Sequence, residues 1–187
     1  MERAVAGAAR NLWMSHVLNE ERITMTPPTG AADAPSHHPI RTTTIWHLAH
    51  RSDWIAAVAI GSYRVSTRGA SLDDVGFIHD SRPHQLAAVA ECVFADAGTD
   101  EALCILVMEE NTIRTSGVEV CDEDGGDGEL YPHVYGPIDP DWVIEVRAAA
   151  FDPAGRFVAG DPHDQALRAD IDRCVRAVRG QGQAPSR

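Results

Sequence analysis

The sequence predicts a single α+β domain, and three observations lead there. The elements run strand, helix, strand, helix and then a series of strands, which is not the regular βα alternation of a doubly wound sheet. ALCILVME, residues 102–109, is apolar on both faces and reads as a central strand. GELYPHVYGP, residues 128–137, alternates instead, with Glu129, Tyr131, His133 and Tyr135 on one face and Leu130, Pro132 and Val134 on the other. At 187 residues the chain is long enough to bury one core without covalent staples.

Residues 1–40 read as an extension, because TPPTGAADAPSHHP is rich in Pro, Ala, Gly and Ser and has too little periodic hydrophobicity to pack. Translation starts at either Met1 or Met25, so the first segment is a short amphipathic helix or an upstream misreading. The α+β domain is expected over residues 41–160, opening with a β-branched strand from Thr42 to Leu48. Ser52 then caps a helix carrying Trp54, Ala57 and Val58, which Gly61 ends. A loop with Arg64, Arg68 and Ser71 leads to a strand from Val75 to Asp80. Ser81 is expected to cap a second helix, with Pro83 in its first turn and Leu86, Val89, Ala90 and Val93 at helical spacing as far as Gly98. CDEDGGDG, residues 121–128, reads as an acidic loop. A closing strand over 142–151 sets Trp142, Ile144 and Val146 against Val143, Glu145 and Arg147. Residues 161–187 supply a helix, running to about Arg179 around Leu167, Ile171 and Val175, and a short tail.

The net charge is −12, from 28 acidic and 16 basic residues, which opposes non-specific binding to nucleic acid or to an anionic membrane. All the basic residues are arginine, so neither a Schiff-base lysine nor a phosphate-loop lysine exists. Cys92, Cys104, Cys121 and Cys174 show no CxxC spacing, and no signal peptide or membrane-spanning run is visible, so a reducing cytoplasm is the expected location. Cys92 and Cys104 sit in apolar contexts and read as buried small hydrophobes.

The chemistry-bearing candidates are histidines on three strands. His47 lies in TIWHLAH, His79 in VGFIHDS beside Phe77 and Ser81, and His133 in the alternating segment with Glu129 and Tyr135. Each has a plain alternative. His47 would serve as a satisfied, partly buried histidine, Ser81 as a helix cap, and His133 with Tyr135 as a polar network pinning a loop. No HExxH or HxH spacing supports a metal, no GxSxG elbow supports a serine hydrolase, and the acidic loop does not match an EF-hand.

The ordered set IWHLAHRSDW, GFIHDSRPHQLAAVA, an apolar strand and GELYPHVYGPI resembles the small bacterial proteins of domain-of-unknown-function family 952, over about residues 44–150. Asp53 and Trp54 keep the family's pair, whereas Asp80 stands where members often carry a cysteine or another small residue, which argues against a thiol mechanism. That family is distantly similar to the ADP-ribosyltransferase and RNA 2′-phosphotransferase fold, a split α+β sheet, mixed or antiparallel, flanked by two or three helices. The resemblance implies NAD or another small-molecule nucleotide as cofactor and a transferase-like activity. Carried onto this chain, its roles fall on His47, His79 and one of Glu129 or His133. The site read from the residues then takes Glu129, His133 and His79 as catalytic candidates and His47, Ser81, Tyr135, Phe77, Arg64 and Arg68 as cofactor contacts. The alternatives are a non-catalytic binding or interaction module with a structural His/Tyr cluster, and a metal-dependent hydrolase.

Overall fold

The computed structural model describes residues 43–94, 102–161 and 165–181, with backbone alone at 175 and 178–181. The expected extension over 1–40, the end of the second helix near Gly98 and the side chain of Val175 lie outside the described residues.

Strand β1 (Thr44–His50) runs directly into α1 (Arg51–Ile60). A hairpin of β2 (Val65–Thr67) and β3 (Ala70–Ser71) leads through the single turn α2 (Leu72–Val75) to β4 (Ile78–His79) and then α3 (Leu86–Val93). Next come β5 (Leu103–Glu109), α4 (Glu110–Thr115), β6 (Val120–Asp124) and β7 (Leu130–Val134). A 3₁₀ turn over Pro140–Trp142 opens β8 (Val143–Phe151), followed by β9 (Phe157–Ala159) and α5 (Gln165–Gln181).

Every pairing among these strands is antiparallel, and the sheet is split into a four-stranded β1-β5-β8-β9 unit and a three-stranded β4-β7-β6 unit, beside the β2-β3 hairpin. Single bridges join the parts, Trp46 with Ser81 and Tyr63 with Ile138. The expected α+β architecture is therefore present. Among the described residues five helices accompany it rather than two or three, because α2 and α4 are too short for a helical period to register in the sequence.

Strand β5 organises the core as its composition requires. Cys104, Leu106 and Met108 enter one cluster with Ile45, Trp54 and Ile171, while Leu103, Ile105 and Val107 enter a second with Leu86, Ala90 and Phe94. Burial on both faces is what a continuous apolar strand without alternation signals. Leu167 and Ile171 bring α5 onto the first cluster, and Arg51 pairs with Asp170 at 3.1 Å.

Four local expectations are corrected. Ser52 does not cap α1, because the helix starts a residue earlier and the amide of Arg51 is already taken by the Ala102 carbonyl at 2.9 Å. Ser81 does not cap α3; its amide and carbonyl are both spent on Trp46, at 2.9 Å each, and the helix begins only after Gln85. The acidic run is not wholly loop. Val120–Asp124 form β6, and only then does Asp124 close the turn by accepting from the amides of Gly126 and Gly128, both at positive φ. Ile144 is 54 % exposed rather than in the apolar row, because the register slips where Glu145 faces Val107 and Val143 faces Met108, leaving Ile144 as the bulged residue.

Candidate functional site

The site lies where the two sheets meet, and its floor is built from β1. Alternation along that strand puts Ile45, His47 and Ala49 on one face, and His47 is 2 % exposed. Its Nδ1 lies 2.8 Å from the His79 carbonyl, which can only accept, so Nδ1 carries the proton. Nε2 then accepts from the Tyr63 hydroxyl at 2.9 Å. Burial draws the His47 pKa down to about 4, against the opposing pull of the His79 carbonyl. His47 is thus a neutral strut with both nitrogens engaged.

Above this strut the three-stranded sheet presents an aromatic and carboxylate cluster. The register places His79 opposite His133, and their rings meet edge to face at 5.1 Å. Phe77 stacks on His133 at 4.2 Å and leans against His79 at 4.7 Å and Tyr135 at 5.4 Å. The Ser66 hydroxyl is 2.9 Å from His79 Nδ1. Burial, then the charges of His133 and His47, lower the His79 pKa to about 3, so its ring is neutral.

Glu123 completes the cluster from β6. Its Oε2 takes a hydrogen bond from His133 Nδ1 at 2.5 Å and another from the Tyr135 hydroxyl at 2.8 Å. The His133 side chain is 5 % exposed whereas that of Glu123 is 39 % exposed, so the carboxylate is anchored from below and open above. Burial and then the bond to Glu123 raise the Tyr135 pKa, keeping the phenol a donor.

Beside the cluster lies a narrow cleft of about 20 Å³, enough for one water-sized group. His47, Ser66, Thr67, His79, Asp80 and Ser81 form its polar wall, and Phe94 with α3 its apolar one. Asp80 is 2 % exposed and neither of its carboxyl oxygens has a hydrogen-bond partner. Its Oδ1 is 3.8 Å from His47 Nδ1, and burial pushes its pKa well above the ordinary carboxylate range despite the opposing effect of Arg82.

Of the residues singled out in the sequence, Phe77, His79, His133 and Tyr135 share the cluster, and His47, His79 and Ser81 share the cleft. Glu129 is exposed and accepts from Gln85 Nε2 at 3.2 Å. Arg64 forms an exposed pair with Asp73 at 2.6 Å. Arg68 sits over the Phe94 ring at 5.4 Å, beside the cleft. Glu123, Tyr63 and Ser66 were not singled out by sequence reasoning. Glu123 was hidden in an acidic run that reads as solvated, and the other two in a segment without alternation. Cys104 is fully buried, which lifts its thiol pKa to about 12 and leaves it inert.

Among the described residues no three His, Cys, Asp or Glu side chains gather as ligands to a metal would. None of the described helices is long and apolar enough to cross a membrane.

A split antiparallel α+β fold with histidines at its seam defines the class. The family described as "Protein of unknown function (DUF952)" matches residues 48–146, and the chain belongs to that family. No curated protein matches the chain. The crystal structure of protein CC0527 from Caulobacter crescentus superposes with a TM-score of 0.51 at 25% identity, covering 70% of this chain and 99% of that one. DarT from Thermus sp. 2.9, in complexes with carba-NAD+ and NAD+, gives TM-scores of 0.47 and 0.48 at 9% and 10% identity, covering 78% of this chain and 94% and 93% of those.

Proposed function

We propose that the face formed by Phe77, His79, His133 and Tyr135 binds NAD or a related nucleotide and that Glu123 acts on its ribose in a transferase-like reaction. One observation carries this reading: the Glu123 carboxylate is held by His133 and Tyr135 at the open rim of a ring cluster. Aromatic rings with an exposed edge suit a flat heterocycle. A fixed carboxylate beside them suits a ribose, whose hydroxyl it orients. When the bond from ribose carbon to ring nitrogen breaks, its electron pair leaves with the base, the same carboxylate stabilises the oxocarbenium-like sugar, and an acceptor oxygen or nitrogen, or water in simple hydrolysis, bonds to the carbon and gives up its proton to solvent. Arg68, which lies over the Phe94 ring, would reach a phosphate of the nucleotide. Glu123 takes in this scheme the role that the resemblance alone would give to Glu129 or His133.

A second reading, a binding module in which the cluster is purely architectural, is favoured by His47, both of whose nitrogens serve the fold. Calorimetric titration of the protein with NAD, ADP-ribose and nicotinamide, beside His79→Ala, separates the two. Saturable binding that the variant loses supports the nucleotide site. Binding that His79→Ala leaves unchanged, or none with any of the three, sinks it and leaves the module.

A further inference from the structure

We propose that the groove between α1, α5 and the start of β8 is the docking site of this chain's own segment Trp13–Leu18. The groove encloses about 390 Å³, a size that accommodates several side chains, and it lies on the four-stranded sheet, away from the ring cluster. Trp54 and Val58 on α1, Ile171 on α5, and Ile144 and Val146 on β8 supply its apolar walls, with Arg168 on its rim. Ile144 is 54 % exposed because the bulge turns it out of the row. A bulge re-aims a side chain, and an isoleucine re-aimed at the wall of an apolar groove gains free energy only when something covers it.

The point where the chain enters the fold identifies that occupant. Thr44 pairs with Glu109 and Val143 with the adjacent Met108, so β1 and β8 begin at the same end of the sheet with one strand between them. Two strand spacings separate them by about 10 Å. A coil formed by residues 19–42 would span about 25–30 Å root mean square, so reach does not limit docking. Beyond that stretch, Trp13, Met14, Val17 and Leu18 recur at the spacing of one helical face, the pattern by which an amphipathic segment fills an apolar groove. Glu20 and Glu21 follow them, and Arg168 makes no ion pair among the described residues, so the charges at that end are complementary. Tethering sets an effective concentration of about 1 mM, so an intrinsic Kd of about 0.1 mM gives roughly nine-tenths occupancy. A second copy at micromolar concentration cannot compete with that. The inference concerns this groove alone and does not depend on the nucleotide reading.

The test labels the full chain with 5-fluorotryptophan and follows its four tryptophans by fluorine NMR, with Trp13→Phe to assign Trp13. A free peptide of residues 10–23 gives the undocked reference. We expect the Trp13 signal to differ from that reference in wild type and to return to it in Ile144→Asp and in Leu18→Asp. Leu18→Asp lies outside the folded elements and decides the matter if Ile144→Asp does not fold; it should also shift the methyl signals of Val58, Ile144 and Ile171 while leaving Leu86 on the other core unmoved. The peptide added to Leu18→Asp should restore those methyl signals, saturating with a Kd of about 0.1 mM. A wild-type Trp13 signal at the peptide position, one insensitive to both substitutions, or one that reverts on dilution, as docking between two copies would, each overturns the proposal.

Discussion

The imidazole of His47 donates to the main-chain carbonyl of His79 at 2.8 Å, so a side chain of one sheet is bonded to the backbone of the other. Its second nitrogen takes the Tyr63 hydroxyl, and Tyr63 is itself bridged to Ile138. His47→Ala would remove both bonds and leave the buried Tyr63 hydroxyl without its acceptor, and we expect a loss of about 2–4 kcal/mol in urea denaturation. Tyr63→Phe, which removes one bond and keeps the ring, should cost about 1–2 kcal/mol. A His47→Ala variant as stable as wild type would show that the seam does not depend on this strut.

Stability should fall as pH drops from the ordinary histidine range towards 4, and the sign follows from three groups. His47 and His79 have pKa values lowered to about 4 and about 3, so below the unfolded value of 6.5 the unfolded chain binds more protons and is favoured. Asp80 acts in the opposite direction. Its raised pKa keeps it protonated in the fold while it ionises in the unfolded chain, so its contribution is present at low pH and lost as pH rises. Between about pH 5 and 6 two histidines oppose one carboxyl, so the net slope keeps the histidines' sign, with stability rising with pH. Asp80→Asn removes the opposing group, and the slope should steepen. Groups whose pKa is lowered within the carboxylate range, such as Glu110, act below this window. An unchanged slope in the asparagine variant would mean that Asp80 is ionised in the fold.

The division between what the sequence reveals and what it conceals has physical causes. β5 is legible because six consecutive buried side chains can serve only a strand covered on both faces. The grouping of Phe77 with His79 and of His133 with Tyr135 is legible because each pair obeys a period of two. The register that sets His79 against His133 is not, since pairing between distant strands leaves no local signal. Glu123 was obscured for a related reason: its neighbours Asp122 and Asp124 have turn chemistry, and only pairing with β7 makes the segment a strand. Ser81 shows local preference overridden by tertiary contact, because its backbone is bonded to Trp46 before a helix can use it.

Arg82 is the hub beneath the carboxylate strand. Its guanidinium reaches Glu110 on α4 and Asp122 on β6, each at 2.6 Å, and Glu110 is shared with Arg114. The Arg82 side chain is 18 % exposed and that of Glu110 12 %, so this network is screened less than a surface pair. We expect Arg82→Ala to lose about 1–3 kcal/mol by thermal or chemical denaturation, and Arg114→Ala, whose side chain is more exposed, less than 1 kcal/mol. Equal losses would mean that the buried contact contributes nothing beyond the exposed one.

The strongest contrast lies between two glutamates. Glu123 is held by His133 and Tyr135 at the cluster, whereas Glu129 is exposed and bonded to Gln85. Glu123→Gln keeps the shape but removes the charge that an electron-poor ribose would require, and it exchanges an acceptor of the His133 bond for an amide. In a nicotinamide-release assay with NAD, we expect it to lower kcat by about 10²-fold or more with little change in KM, because the lost interaction is made in the transition state. Glu129→Gln should remain within about twofold of wild type in both constants. Tyr135→Phe, which removes one of the two donors holding Glu123, should fall between them. Thermal stability of all three measured alongside isolates the chemistry from the fold. Equal losses for Glu123→Gln and Glu129→Gln, or activity retained by Glu123→Gln, would remove Glu123 from the proposed reaction.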